Sequence, residues 1–176
     1  MTEVELDIVK SYKFYQKFLL QPIQEKSKIY QEYGFKVVGS VVPRDWEVLA
    51  AILLKDRAKP GYGSDLEKHE VKSARYGNSF EYQYHKNHGE QKLKEDQEVD
   101  HIFITYTQDY LSLEVWLVKG HELASIFQGW LPGLQANYSG QTPRQRYRKS
   151  IPFKTVQKKG RLLMKIENEQ LIFPSE

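Results

Sequence analysis

Residues 101–118 read HIFITYTQDYLSLEVWLV and are the most clearly patterned stretch of the chain. Two runs rich in β-branched and aromatic residues, 101–107 and 111–118, stand on either side of the three residues Gln-Asp-Tyr. Such runs around a short loop predict a β-hairpin. We therefore expect a β-sheet at the centre of the protein.

Helical patterns precede and follow this hairpin. Apolar residues at helical spacing predict a helix over residues 3–20, which Pro22 breaks before a second helix over 23–33. Asp45 is expected to cap a third helix over 46–55. The remaining patterns predict a loop or edge strand over 35–42, a strand-like region over 65–74, an exposed helix over 89–99, an amphipathic helix over 121–130 and a second hairpin over 151–156 and 161–166.

This order of elements predicts one α/β (α+β) domain over residues 1–176, with a mixed central sheet flanked by helices. The 176 residues include no cysteine, which excludes disulfides, a thiolate nucleophile and a cysteine-ligated zinc site. The longest apolar runs fall far short of the roughly 20 residues that cross a bilayer. The N-terminal MTEVELDIVK has no apolar signal-peptide core, so we expect a soluble, cytoplasmic protein.

Basic residues are concentrated near the C-terminus. Residues 139–165 contain nine lysines and arginines and no acid, whereas the whole chain carries a net charge of only +3. This concentration predicts a surface that faces a polyanion, with nucleic acid as the leading candidate. A solvated basic loop without a ligand is the alternative.

Residues 63–74 read GSDLEKHEVKSA and combine acids with a lysine in a pattern suited to catalysis. Alternation along a strand puts Glu70 and Lys72 on one face and Val71 on the other, toward a core. If the four residues after Asp65 form a hairpin loop, Asp65 stands opposite Glu70. Two carboxylates this close repel each other, and a divalent cation between them relieves the repulsion. Mg²⁺ suits such oxygen ligands.

Lys72 would then orient an attacking water or contact a phosphate oxygen, and Glu47 on the preceding predicted helix is a candidate third carboxylate. Such a set of groups favours hydrolysis of a phosphodiester bond. The same spacing also arises by chance on the surface of a chain in which 28% of residues are charged. An ordinary surface hairpin is therefore the competing interpretation.

Blocks spread over the last two-thirds of the chain resemble a known family in their order and spacing. They are GSD at 63–65, EVKS at 70–73, HKN at 85–87, DHIFITY at 100–106, Trp130, and IPF at 151–153 with Gly160. Together they are similar to the PD-(D/E)xK nuclease superfamily, and within it to type II restriction endonucleases of the PvuII kind.

The resemblance implies a restriction-endonuclease-like fold and a homodimer that cuts both strands of a short palindromic DNA site. It implies one or two Mg²⁺ ions per active site, held by Asp65 and Glu70, with Lys72 as a further catalytic residue. Residues 35–176 would form the catalytic core. Residues 1–34 would form the dimer interface or wrap the DNA.

The chain departs from the family pattern around its first acid. Only four residues separate Asp65 from Glu70, whereas the family usually has a longer segment between these two acids. In addition, Ser64 stands in place of the family's proline. Either Asp65 is the metal ligand across a shortened hairpin, or a different acid such as Glu67 or Glu47 takes that place.

Two segments predict contacts with DNA. Residues 75–88 contain amide side chains, which can read adenine, and His and Lys side chains, which can donate to guanine. Within this segment the family resemblance points to His85 and Asn87. Basic side chains in residues 142–150 (TPRQRYRKS) suit phosphate contacts. The candidate DNA-binding residues are Asn78, Gln83, His85, Lys86, Asn87, Arg144, Arg146, Arg148 and Lys149.

The leading hypothesis is therefore a type II restriction endonuclease. A repair or homing nuclease with the same motif is an alternative within the superfamily. Outside it, the sequence allows a non-catalytic DNA- or RNA-binding module, or a small protein that binds a partner through its N-terminal helices.

Overall fold

A five-stranded mixed sheet lies at the centre of the computed structural model, which describes residues 4–36 and 41–174. The strands are β1 (His69–Arg75), β2 (Phe80–His85), β3 (Asp100–Tyr106), β4 (Leu113–Val118), β5 (Arg146–Ile151), β6 (Arg161–Glu167) and β7 (Gln170–Phe173). The helices are α1 (Ile8–Phe14), a π-helical segment (Tyr15–Leu20), α2 (Gln21–Glu32), α3 (Pro43–Leu54), α4 (Gly89–Glu95), α5 (Gly120–Ser139) and α6 (Phe153–Lys159).

The sheet has the strand order β1-β3-β4-β6-β7, and β2 and β5 form a separate two-stranded ribbon. The predicted hairpin is confirmed, because β3 and β4 pair antiparallel with His101 opposite Val118. β1 pairs parallel to β3, so the chain must cross over between them, and β2 and α4 make up this crossover. β1 is therefore an edge strand of the sheet.

Helices cover both faces of the sheet. Ile102 and Ile104 of β3 pack on one face with the N-terminal helices and α3. Phe103, between them in the sequence, points to the opposite face and packs with α5 and the aromatic residues of β2. The expectation of an α/β protein with a mixed central sheet flanked by helices is thus confirmed at that level of detail.

The second predicted hairpin is wrong. Residues 153–159 form α6 instead of a strand, and Pro152 immediately precedes this helix in an extended conformation. Proline cannot donate a ladder hydrogen bond but is compatible with a helix start. β6 consequently pairs with β4 and β7, while β5 pairs with β2.

The N-terminal helices are continuous, so the prediction that Pro22 breaks them is wrong. Helical backbone runs from Ile8 to Glu32, and Pro22 lies in the first turn of α2 directly after the π-helical segment. The wider i→i+5 bonding of that segment, as from Gln21 N to Gln16 O, accommodates a residue without an N–H group.

Two other helix boundaries differ from the expectation. α3 begins at Pro43, so its N-cap is Val42 and not Asp45. Asp45 lies in the first turn, where its negative charge interacts favourably with the helix dipole. α5 continues through Pro132 to Ser139. Leu134 is fully buried beyond the proline, and packing of this last part offsets the lost backbone hydrogen bond.

The predicted loop or edge strand over 35–42 lies partly outside the described residues, and residues 35, 36, 41 and 42 belong to no strand. In the described part of the chain, no helix combines the length and the hydropathy needed to cross a membrane.

Candidate functional site

The edge strand β1 carries an acid and a lysine on one face. Glu70 and Lys72 point to the same side of the sheet, and the Lys72 Nζ lies 2.6 Å from the Glu70 Oε1. Val71 points to the other side and packs in the hydrophobic core. Glu70 is almost completely buried, with 1% of its surface exposed. The alternation predicted from the sequence is therefore confirmed.

A tight bend before β1 places Asp65 beside Glu70. The Leu66 N–H donates to the His69 carbonyl at 2.9 Å and closes the bend. The Val71 N–H then donates to Asp65 Oδ2 at 3.0 Å, and the Asp65 N–H donates to Glu70 Oε2 at 3.2 Å. The bend expected over residues 66–69 is present, and it brings the two acids to the start of β1.

A second lysine, Lys92, completes the cluster. Its Nζ lies 2.8 Å from Glu70 Oε2 and 2.6 Å from Asp96 Oδ1. Sequence reasoning missed this residue, because residues 89–99 were expected to form an exposed helix. The helix is confirmed over Gly89–Glu95, but it is shorter than expected and not simply exposed, because Leu93 and the following Asp96 are fully buried.

The charges of the cluster shift the pKa values of its acids. Burial alone would raise the pKa of Glu70, but the ammonium groups of Lys72 and Lys92 hold it well below its ordinary range. Burial, followed by the charge of Glu70, raises the pKa of Asp65. Burial lowers the pKa of Lys92, but the charges of Glu70 and Asp96 more than offset this and raise it. Glu70 is therefore an ionised carboxylate at neutral pH.

Aromatic and imidazole side chains form the floor of the site. The Lys72 Nζ lies 4.9 Å from the centre of the Tyr82 ring, a cation–π arrangement. His101 Nε2 lies 2.7 Å from the carbonyl oxygen of Asp96, which can only accept, so this nitrogen carries the proton. Burial lowers the pKa of His101 to about 4. The neutral imidazole then accepts the Tyr82 hydroxyl through Nδ1 at 2.8 Å.

The two alternative acids are placed differently from Asp65. Glu47 lies on α3 and pairs with Arg44, and burial followed by the charge of Asp65 raises its pKa. Glu67 is exposed, and its N–H donates to the Arg57 carbonyl. Of these acids, Asp65 is the one whose peptide N–H hydrogen-bonds to Glu70.

The donor set is compatible with Mg²⁺. Within residues 4–36 and 41–174, no group of three or more His, Asp and Glu side chains is arranged to hold a metal ion. Mg²⁺ usually takes only one or two protein carboxylates and completes its shell with waters and substrate phosphates. Asp65 and Glu70 supply two neighbouring carboxylates, and a bound ion would share the Glu70 oxygens with Lys72 and Lys92.

The ribbon of β2 and β5 presents polar and basic side chains to solvent. Gln83 is paired with Arg148 and His85 with Arg146, so these four side chains share the outer face of the ribbon. The Arg146 Nη1 donates to Gln83 Oε1 at 3.0 Å. Tyr82 lies on the inner face and is buried.

A cleft of about 460 Å³ lies beside this ribbon; Lys92 of the acid–lysine cluster lines it, whereas Asp65, Glu70 and Lys72 do not. Gln83, His85 and Asn87 line one part of it, and Lys92 lines another. The cleft therefore leads from the predicted base-reading residues to the lysine that contacts Glu70.

The remaining predicted DNA-binding residues do not all join this surface. The Lys86 N–H donates to the Gln145 carbonyl, which extends the ribbon toward Arg144. Asn78 lies in the turn before β2, at the opposite end from His85 of a strand that is roughly 17 Å long. Lys149 alternates with Arg148 and pairs with Tyr82 on the inner side of the ribbon; it is nevertheless exposed, with its Nζ 5.8 Å from the centre of the Tyr147 ring.

No protein-family model matches this chain, and no curated protein matches it either. Its function is therefore inferred from the geometry of its own residues.

Proposed function

We propose that this chain is a type II restriction endonuclease that hydrolyses phosphodiester bonds of double-stranded DNA at a short, palindromic site in the presence of Mg²⁺. The observation that carries the proposal is the arrangement of Asp65, Glu70 and Lys72. A bend and two strand positions bring these three residues together beside a basic ribbon. An acid pair with a lysine is one set of groups that can support phosphodiester hydrolysis, by holding a metal ion and by stabilising charge on the phosphate.

Asp65 and Glu70 would hold Mg²⁺, which when bound neutralises charge on the scissile phosphate and makes a water molecule more acidic. Lys72 contacts the attacking water or a phosphate oxygen through its ammonium group, whose position is fixed by Glu70 and by the Tyr82 ring below it. Neutral His101 holds the Tyr82 hydroxyl without adding a positive charge to the site.

The ribbon supports double-stranded DNA as the substrate. The major groove of DNA is wide enough for a two-stranded β-ribbon, and Gln and His side chains can hydrogen-bond to base edges there. Gln83 and His85 project from the outer face opposite Arg148 and Arg146, whose guanidinium groups suit phosphate contacts. The base-reading residues would then line a cleft that reaches the cutting residues through the contact between Lys92 and Glu70.

Cleavage of plasmid DNA tests the proposal directly. Purified protein with Mg²⁺ should convert a large plasmid into discrete fragments, and EDTA should prevent this. Glu70→Gln and Lys72→Ala should each slow cleavage at least about 100-fold, because each removes a group of the catalytic set. Lys68→Ala is the matched control, since Lys68 is an exposed lysine four residues before Lys72. This variant should cut at the normal rate.

A non-catalytic DNA-binding module is the second candidate, because DNA contacts by the outer face of the ribbon do not require catalysis by the acid–lysine cluster. Plasmid that is retarded in a gel but stays intact under all metal conditions would favour this module and contradict the endonuclease. A smear without discrete fragments would instead indicate a nuclease without sequence preference, such as a repair enzyme.

A further inference from the structure

Each carboxylate oxygen of Glu70 already has a lysine partner. Lys72 binds Oε1 at 2.6 Å, and Lys92 binds Oε2 at 2.8 Å. Lys72 belongs to the motif in β1, but Lys92 comes from α4 and lies on the opposite side of the carboxylate. The site therefore contains a positive charge that the acid–lysine motif alone does not require.

Lys92 is fixed in place by a second acid. Asp96 Oδ1 lies 2.6 Å from its Nζ, and Asp96 Oδ2 accepts the Tyr84 hydroxyl at 2.8 Å. Asp96 is fully buried, and Tyr84 is 1% exposed. Because both oxygens of Asp96 are bonded inside the protein, Asp96 holds the Lys92 ammonium next to Glu70.

The formal charges of the cluster leave room for one divalent ion. Asp65, Glu70 and Asp96 contribute three negative charges, and Lys72 and Lys92 contribute two positive charges, so the cluster carries −1. One Mg²⁺ and one DNA phosphate bring the total to zero. A second Mg²⁺ would leave two positive charges in a partly buried site. Its candidate carboxylate ligands are Asp65 and Glu70, and both oxygens of Glu70 already bind lysines, so a second ion is unfavourable.

We infer that the Lys92 ammonium serves as a built-in second cation, so that each active site binds one divalent metal ion instead of two. Lys92 is a positioning residue in this role: it fixes Glu70 and repels a second ion near Glu70 Oε2. The inference rests on the proposed function, because it assumes that Asp65 and Glu70 bind the metal.

Counting bound Mn²⁺ tests the inference without any DNA or cleavage. The electron paramagnetic resonance signal of free Mn²⁺ is measured during titration into the protein, and Glu70→Gln is titrated in parallel to subtract ions bound elsewhere. Glu70→Gln should bind one Mn²⁺ fewer per chain than wild-type protein. Lys92→Gln should bind its Glu70-dependent ion at least about tenfold more tightly, because the repelling ammonium is gone.

Lys94→Gln is the matched control, since Lys94 lies on the same helix but pairs with the partly exposed Glu90 at 3.0 Å. Its Mn²⁺ affinity should equal that of wild type. Lys92→Gln leaves the buried Asp96 without its lysine and Glu70 with Lys72 alone, so circular dichroism must show that it folds. The double variant Lys92→Gln with Asp96→Asn removes both members of the ion pair and should also bind Mn²⁺ more tightly than wild type.

Two Glu70-dependent ions in wild type would overturn the inference and leave the endonuclease proposal intact. So would an affinity in the folded Lys92 variants that is equal to or below that of wild type. If wild-type protein binds no Glu70-dependent Mn²⁺ at all, the metal site of the proposed function is wrong, and the inference fails with it.

Discussion

At the scale of single residues, Glu70 shows how a buried charge is maintained. Its carboxylate is almost inaccessible to water, and two ammonium groups and a peptide N–H replace the lost hydration. Breaking a buried ion pair by removing one partner commonly costs about 3–5 kcal/mol, because the other charge is left without compensation. The cluster is thus a costly arrangement that favours a functional role over a purely structural one.

His101 predicts how stability depends on pH. Burial lowers its pKa to about 4 in the folded protein, whereas the unfolded value is about 6.5. The unfolded state therefore binds more protons between these values, so stability is fully present above pH 6.5 and falls as the pH is lowered. The loss from this residue reaches about 3 kcal/mol at pH 4. Urea unfolding at several pH values measures it.

His101→Gln is the control for this titration, because glutamine also offers one donor to Asp96 and one acceptor to Tyr82. It should lose less stability than wild type between pH 7 and pH 4. Equal losses in the two proteins would show that other groups cause the acid sensitivity.

Sequence reasoning found the part of the site that is local in the chain. Glu70 and Lys72 share a face because side chains alternate along any strand, and Asp65 reaches Glu70 through a four-residue bend. Lys92 was not predictable in this way. From the sequence, its spacing to Asp96 is that of an ordinary surface ion pair on a helix, and its contact with Glu70 depends on how the crossover packs.

At the scale of elements, the ribbon joins strands that are about sixty residues apart in the chain. β2 ends at His85 and β5 begins at Arg146, and these two residues are paired. The sequence predicts a basic segment over 142–150 but not its partner strand, because no short turn links the two. The β3–β4 hairpin was predictable because its register is determined by a short connection.

The ribbon predicts that neighbouring basic residues differ in their contribution to DNA binding. Arg148 lies on the outer face with Gln83, whereas Lys149 lies on the inner face beside Tyr147. Arg148→Ala should weaken binding to all DNA sequences and reduce the dependence of log affinity on log salt by about one unit. Lys149→Ala should have a clearly smaller effect on both. Fluorescence anisotropy at several salt concentrations measures the two slopes.

Equal effects of the two substitutions would contradict the assignment of the outer face to DNA. A loss confined to one DNA sequence would instead show that Arg148 reads a base.

At the scale of the whole molecule, the N-terminal helices expose large apolar side chains. Tyr33 is 75% exposed, and Phe18 and Ile29 are also more than half exposed. Apolar surface of this kind is common at interfaces between subunits. It agrees with the proposal that two copies associate to cut the two strands of a palindromic site.

Sedimentation equilibrium tests the association of two copies. Wild-type protein should have twice the 20.8 kDa mass of one chain. Ile29→Lys should shift the equilibrium toward the monomer, because it places a charge in the apolar surface. Tyr76→Lys changes a residue of similar exposure in the turn between β1 and β2, away from these helices, and should leave the mass unchanged. A monomeric wild-type protein would contradict the homodimer.

The buried carboxylate of Asp96 has a mechanical consequence for the molecule. One of its oxygens is bonded to Tyr84 in the ribbon, and the other is bonded to Lys92 next to Glu70. A rigid shift of the ribbon that preserves both bonds must carry the ammonium with it. The geometry around Glu70 is therefore tied to the position of the strand that bears His85, through a single side chain shielded from solvent.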